Sequence, residues 1–404
     1  MITGSLANSF SIIGAISTFI IIYYSILIVS FKDKLSSNYF LMALILVNPM
    51  IWIMGNRYMP DLMGLSLFVA SFYMLVCQNE KKYMYIGGVI SGLLLGVRLS
   101  YFPLLILPMI KVLRENKKNT LQFISSIALG VVIWLIPIVY ITGLDNLIYV
   151  AQNQSLGHFT DFGGTMITES DWSYRIKLFL HTIWSDGLGG YWFGRSFITI
   201  LLSISMIPIL FSSISYFKSN PLDSKIKILI GCIALYVIWI LFFQNIVYKS
   251  RHVLPVVYFI IVLLSYGYNY LNTNKYNKII STIFIICSIY IGSIIAFQHK
   301  QPTAISKVKD YLIESREPLT IITTPLISYY LKSSGVNFTY YDAHKIDSTI
   351  DNYGDNNKIL MIGNFQEVLN NKISVTRDTS FYHNPYVNRM WSTINLYLLE
   401  NDSR

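Results

Sequence analysis

Apolar residues run in long blocks separated by short polar turns through the first three quarters of the chain, and the pattern changes near residue 298. The blocks fall at about 8–30, 39–55, 62–77, 83–98, 100–113, 121–142, 195–217, 226–247, 253–271 and 279–297. A helix crossing a bilayer upright needs roughly 20 such residues, so several blocks are short for the task. Blocks 83–98 and 100–113 are separated only by Leu99, beside Arg98 and Pro103, and are read as two helices. The pattern predicts an all-α polytopic membrane bundle of about ten spans over residues 1–298. A small C-terminal α/β domain, expected outside the cytoplasm, takes residues 299–404.

Two polar stretches interrupt or follow the blocks. Residues 143–194 hold no long apolar run. Trp172, Ile176, Phe179, Leu180, Ile183 and Trp184 recur there near helical spacing, with Arg175, Lys177 and His181 between them. That spacing predicts an amphipathic helix on the membrane surface, with Gly163-Gly164 and Gly187-Leu-Gly-Gly190 as breakers. Beyond residue 298, Leu319–Thr324 and Lys358–Gly363 read as short strands, and Ala304–Ser315 and Pro325–Ser334 as helices.

Composition narrows the class. The chain of 404 residues is 53% hydrophobic and 13% charged, with a mean hydropathy of +0.50. Soluble domains carry about 25% charged residues. A net charge of +10 would suit nucleic acid. The basic residues instead concentrate in short turns between apolar blocks, where membrane orientation places them, and nucleic acid is excluded as a partner. Lys32, Lys34, Lys81, Lys82, Lys111, Arg114, Lys117, Lys118, Lys218, Lys225, Lys227, Lys275 and Lys278 share one side of the alternation. That side is cytoplasmic by the positive-inside rule. Both termini then lie outside a cytoplasmic (inner) membrane, as do Arg57, Arg98 and the Lys249/Arg251 pair. Cys77, Cys232 and Cys287 lie in or at the end of apolar blocks, without metal-ligand spacing, and read as small buried hydrophobes.

The chemistry gathers at the outer turns. Lys249-Ser-Arg-His-Val-Leu-Pro255 places Lys249, Arg251 and His252 where an apolar helix begins. Charge at membrane depth costs roughly 2.5–3.5 kcal/mol per Arg or Lys, so such groups have a partner or a task. A cationic rim suits a phosphate or pyrophosphate. In Asn56-Arg-Tyr-Met-Pro-Asp61, Arg57 and Asp61 either engage a polar substrate or form a local ion pair at a helix start. Gly87-Gly-Val-Ile-Ser-Gly-Leu-Leu-Leu-Gly-Val-Arg98 carries a small-residue packing face. Its Arg98 either reaches for headgroups or lines a cavity. His158, Asp161, Glu169, Asp171, Asp186 and Asp145 show no metal-binding spacing. His383 and Arg389 read as packing and turn residues.

Taken together, Asn-Arg-Tyr-Met-Pro-Asp61, Gly-Leu-Leu-Leu-Gly-Val-Arg-Leu-Ser-Tyr-Phe-Pro and Ser250-Arg-His-Val-Leu-Pro resemble GT-C-type membrane glycosyltransferases of the protein O-mannosyltransferase and aminoarabinose-transferase kind. The resemblance spans most of residues 8–271. It implies transfer of a sugar from a polyprenyl-phosphate donor to a lipid, glycan or protein acceptor on the outer face. It implies Asp61 as the catalytic acidic residue and Arg251 beside the donor phosphate. Arg57, Arg98, Lys249 and His252 are expected to bind substrate with it. No cofactor is assigned, and a divalent metal stays open. The family begins with a further span and an external acidic loop, and this chain is expected to lack both. Two alternatives stand beside this expectation: a lipid-linked glycan polymerase or ligase, and a non-enzymatic, transporter-like membrane protein.

Overall fold

The structure is a computed structural model that describes residues 6–29, 31, 35–57, 59–160, 165–193, 195–246, 249–271, 275–315, 319–343, 358–363, 374–383 and 392–400. Lys32, Lys34, Tyr58, Asp161, Gly163, Gly164 and Arg389 lie outside the described residues. The chain forms two compact units, residues 1–294 and 295–404.

The first unit is helical. Its elements are α1 (Leu6–Val29), α2 (Leu35–Val47), α3 (Pro49–Gly55), α4 (Asp61–Phe72), α5 (Lys81–Val97), α6 (Phe102–Glu115) and α7 (Thr120–Thr142). They continue with α8 (Leu144–Thr160), α9 (Trp172–His181), α10 (Ile198–Ser219), α11 (Ser224–Phe243), α12 (Leu254–Leu271) and α13 (Lys275–His299), which runs on into the second unit. Among the described residues, six helices are long and apolar enough to cross a membrane, or seven if the bent pair α2–α3 is one span. This is an integral membrane protein.

The block at 39–55 is not one straight helix: it bends by 55° at Asn48. Pro49 cannot donate a backbone hydrogen bond and keeps its predecessor out of helical geometry. Asn48 turns that break into a cap, its Oδ1 accepting from the backbone N–H groups of Met50 and Ile51 at 3.1 and 3.0 Å. Its Nδ2 donates to the carbonyl of Gly187 at 2.8 Å. The glycine face of α5 packs on α7 as expected, because side chains at Gly88 and Gly92 would collide with Ser126 and with the α7 backbone at Gly130.

Residues 143–194 hold more helix than the hydrophobic pattern predicted. Gly143, at φ +81°, turns the chain from α7 into α8. The expected amphipathic helix is α9, prolonged by a π-helical turn over Thr182–Gly187. Arg175, expected on its polar side, is instead fully buried. Its Nη2 donates to the carbonyls of Leu241 and Gln244 at the end of α11, where a cation suits the helix dipole.

The second unit holds α14 (Ala304–Glu314), β1 (Leu319–Thr323), α15 (Pro325–Ser333), β2 (Thr339–Asp342), β3 (Lys358–Ile362), β4 (Ser374–Tyr382) and β5 (Thr393–Glu400). The sheet order is β2-β1-β3-β5-β4, parallel among the first three and antiparallel from β3 to β5 to β4. Ala304, Val308 and Leu312 of α14 and Ile327 and Leu331 of α15 bury one sheet face through Ile321, Leu360, Ile362 and Leu396. His383 Nδ1 accepts from the N–H of Ala304 at 3.0 Å, so this histidine holds the start of α14.

Candidate functional site

Two separate stretches deliver cations by the same local design. At Arg98 the backbone is extended (φ −151°, ψ 82°), a 3-10 turn follows over Leu99–Tyr101, and Pro103 stands in the first turn of α6. At Lys249 it is extended again (φ −127°, ψ 90°), the 3-10 turn is Ser250–Val253, and Pro255 stands in the first turn of α12. In each case the proline accepts a place where no backbone donor is needed, and the preceding turn projects a basic side chain from a helix junction. A third junction, between α3 and α4, brings Arg57 and Asp61.

All six residues singled out by the sequence share one neighbourhood. Asp61 opens α4 and has no exposed surface, and its Oδ1 lies 2.9 Å from Arg98 Nη2. Arg98 also reaches His252 Nδ1 from Nη2 at 3.3 Å. Arg251 Nη1 donates to the sulfur of Met59. Arg57 feels the charges of both Arg251 and Asp61, and Lys249 those of Arg251 and Arg98. Asp61 therefore does not pair with Arg57, its sequence neighbour, as a local ion pair would require.

Gly64 explains the partner. It lies three residues after Asp61, on the same helical face, and a Cβ there would stand 2.8 Å from Arg98 Cβ and 3.2 Å from the Tyr101 ring. Only a bare backbone lets the Arg98–Tyr101 turn settle against α4 beside the carboxylate. Tyr101 in turn stacks edge-on to Tyr236 (5.5 Å, 87°), and Tyr236 donates its hydroxyl hydrogen to the carbonyl of His252 at 3.0 Å. Neither tyrosine stood out in the sequence. Tyr101 follows Arg98 by one short turn, which was the available signal.

Electrostatically the site is unbalanced. Arg57, Arg98 and Arg251 act on one carboxylate, Asp61, and Lys249 lies within reach of Arg98 and Arg251, so the fixed charges sum to three positive. Burial, and then the Arg251 guanidinium, bring the Arg57 pKa down to about 10. Burial, then Arg251 and Arg98, lower that of Lys249 as well. Several polar atoms are also buried without a hydrogen-bond partner among the described residues: Arg98 Nε, Arg251 Nε, Tyr101 Oη and His252 Nε2. Such atoms cost free energy unless water or a ligand meets them.

Of the other candidates, His158 Nε2 bonds the carbonyl of Phe243 and ties α8 to the end of α11. Asp186 pairs with Arg195 at 2.6 Å. Asp171 caps α9, its Oδ1 accepting from the Tyr174 N–H at 3.0 Å. Among the described residues, no three His, Cys, Asp or Glu side chains converge as a metal-binding set. The turn Thr182–Gly187 packs against Ser250–Val253, so the segment that continues α9 borders the cationic site.

A membrane helical bundle with a cationic site at its helix junctions and a small α/β unit is the class that sequence and geometry define. No family model and no curated protein matches the chain. Its fold is similar to that of ArnT from Cupriavidus metallidurans, in a crystal structure bound to undecaprenyl phosphate. The TM-score is 0.54 at 9% identity, covering 98% of this chain and 84% of that one. The likeness is one of fold: the chain shares the architecture of that structure over almost its whole length.

Proposed function

We propose that this protein is a membrane glycosyltransferase that takes a sugar from a polyprenyl-phosphate donor and passes it to an acceptor on the outer face of the cytoplasmic membrane. The observation that carries this is the convergence of Arg57, Arg98 and Arg251, from three helix junctions far apart in sequence, on one buried carboxylate, with Lys249 near Arg98 and Arg251. Four cations against one acid suit a phosphate whose charge grows as the glycosidic bond breaks. Undecaprenyl phosphate bound to a protein of the same fold supports the choice of ligand. A hollow of about 330 Å³ between α1 and α3, with Asn56 at its edge beside Arg57, would take part of the lipid chain.

In this reading α4, α5 and α6 cross the membrane too, giving about ten spans with both termini outside. Helix α9 lies along the outer leaflet. The four cations hold the donor phosphate. Asp61, without exposed surface and paired to Arg98, acts through that arginine rather than on the acceptor. Transfer is a single displacement at the anomeric carbon by an acceptor hydroxyl.

The test is Arg251→Ala in nanodiscs. Transfer from a polyprenyl-phosphate sugar should fall by at least about 10²-fold, the scale for losing one donor to developing charge, with insertion unchanged. Undiminished turnover would remove the phosphate role. The excess of three positive charges also favours a second reading, a pyrophosphate-linked donor as used by a glycan polymerase or ligase. Comparing the two donor classes on the same preparation separates them.

A further inference from the structure

Arg98 has a fixed fork of five N–H donors, and the protein occupies the fork unevenly. Nη2 forms an ion pair with Asp61 Oδ1 at 2.9 Å and a hydrogen bond to His252 Nδ1 at 3.3 Å. Nε is enclosed, without a hydrogen-bond partner among the described residues. Nη1 is neither enclosed in this way nor bonded to a described residue, and the side chain keeps 16% of its surface exposed. The guanidinium plane is thus held along one edge and open at one corner. Tyr101, its ring centroid 5.8 Å from the guanidinium carbon, stands beside it, and Gly64 lets the whole turn seat against α4.

An arginine only donates, so His252 Nδ1 accepts. That fixes His252 as a neutral imidazole with its hydrogen on Nε2. The backbone behind the ring is itself held, its carbonyl accepting from the buried Tyr236 hydroxyl at 3.0 Å, and the residue is 4% exposed. A histidine among three cations, Arg98, Arg251 and Lys249, would be a poor anion ligand if its main use were its own charge. As a neutral acceptor it performs a different service.

We infer that His252 and Asp61 are positioning residues, jointly pinning Arg98 Nη2 so that the Nη1 corner is presented to the bound phosphate. The inference rests on the phosphate reading above. It assigns the anion contact to Arg98 and assigns none to His252, which was expected to bind substrate directly.

Binding of decaprenyl phosphate to the full chain in nanodiscs tests it, using His252→Leu, Arg98→Ala, the double variant and His252→Asn. His252→Leu should weaken binding on the order of tenfold, as Arg98→Ala does, the scale of one charge-assisted hydrogen bond. Adding His252→Leu to Arg98→Ala should change affinity less than about twofold, because the histidine then has nothing to hold. Asparagine retains an acceptor near the Nδ1 position and should restore most of the loss. Additive effects, or an asparagine variant as weak as the leucine one, would overturn the inference. If Arg251→Ala loses binding while His252→Leu keeps wild-type affinity, the inference falls and the phosphate reading stands. If Arg251→Ala and Arg98→Ala both bind as wild type, the phosphate reading itself falls. Should His252→Leu fail to fold, alanine against asparagine at position 252 decides the same point.

Discussion

Adding one methyl group at Gly64 probes the site without touching any of its charges. In Gly64→Ala the new Cβ would lie 2.8 Å from Arg98 Cβ and 3.2 Å from two ring carbons of Tyr101. Ordinary carbon contacts are about 3.5–4.0 Å, so Arg98 must retreat by at least about 0.7 Å. The atom in the way is the root of a side chain, and relief requires the turn Leu99–Tyr101 to move as a body. Overpacking of this kind costs about 1–3 kcal/mol. The displacement also opens the 2.9 Å Arg98–Asp61 contact and turns the guanidinium. Positioning errors near 1 Å lower turnover by as much as about 10²-fold. Gly292→Ala in α13 is the matched control, because its Cβ would meet only the carbonyl oxygen of Val47 at 3.5 Å, an ordinary contact. Thermal unfolding and sugar transfer, measured on both variants in nanodiscs, should leave Gly292→Ala near wild type and lower Gly64→Ala in both. If the two variants behave alike, the packing of Arg98 against α4 does not set the site.

Three further outcomes follow from the same geometry. Asp61→Asn removes the countercharge under a largely buried arginine and should destabilise the chain by about 3–5 kcal/mol in anion-free buffer; unfolding with and without pyrophosphate checks this, and the anion should recover part of the loss. Arg175→Ala removes the guanidinium donor from the carbonyls of Leu241 and Gln244, which should cost about 1.5–3 kcal/mol and speed amide exchange at residues 244–246. Anion binding should fall as pH rises through about 10: burial and Arg251 bring the Arg57 pKa down to that value, so Arg57 is charged below it and neutral above. Pyrophosphate affinity followed upward from neutral pH measures the loss; Arg57→Gln should shrink that limb, and Lys249, whose pKa is lowered too, keeps the remainder.

The bundle and the cationic rim were legible in the sequence for one shared reason. Alternating Lys-rich turns put Arg57, Arg98 and Lys249–His252 on one side, so proximity among them was a consequence of topology. Which charges touch was not legible. Asp61 and Arg57 are four residues apart and invite pairing, yet a helix starting at Asp61 turns the carboxylate inward, and Gly64 opens that wall to Arg98. The burial of Arg175 was hidden too, because its periodicity marks it as polar surface while its partners are backbone carbonyls 66 and 69 residues away. The bend at Asn48-Pro49 was written in the sequence and lay masked inside an apolar block.

That bend has an architectural consequence. The Asn48 side chain clamps two things at once: the start of α3 and, 139 residues later, the end of the turn Thr182–Gly187. The same turn rests on Ser250–Val253, the segment that carries Arg251 and His252. The segment that continues α9 is thus fastened to the α2–α3 pair by an amide. Lifting it away would uncap α3 and take away the wall behind the basic turn, so loop and bundle stand or yield together.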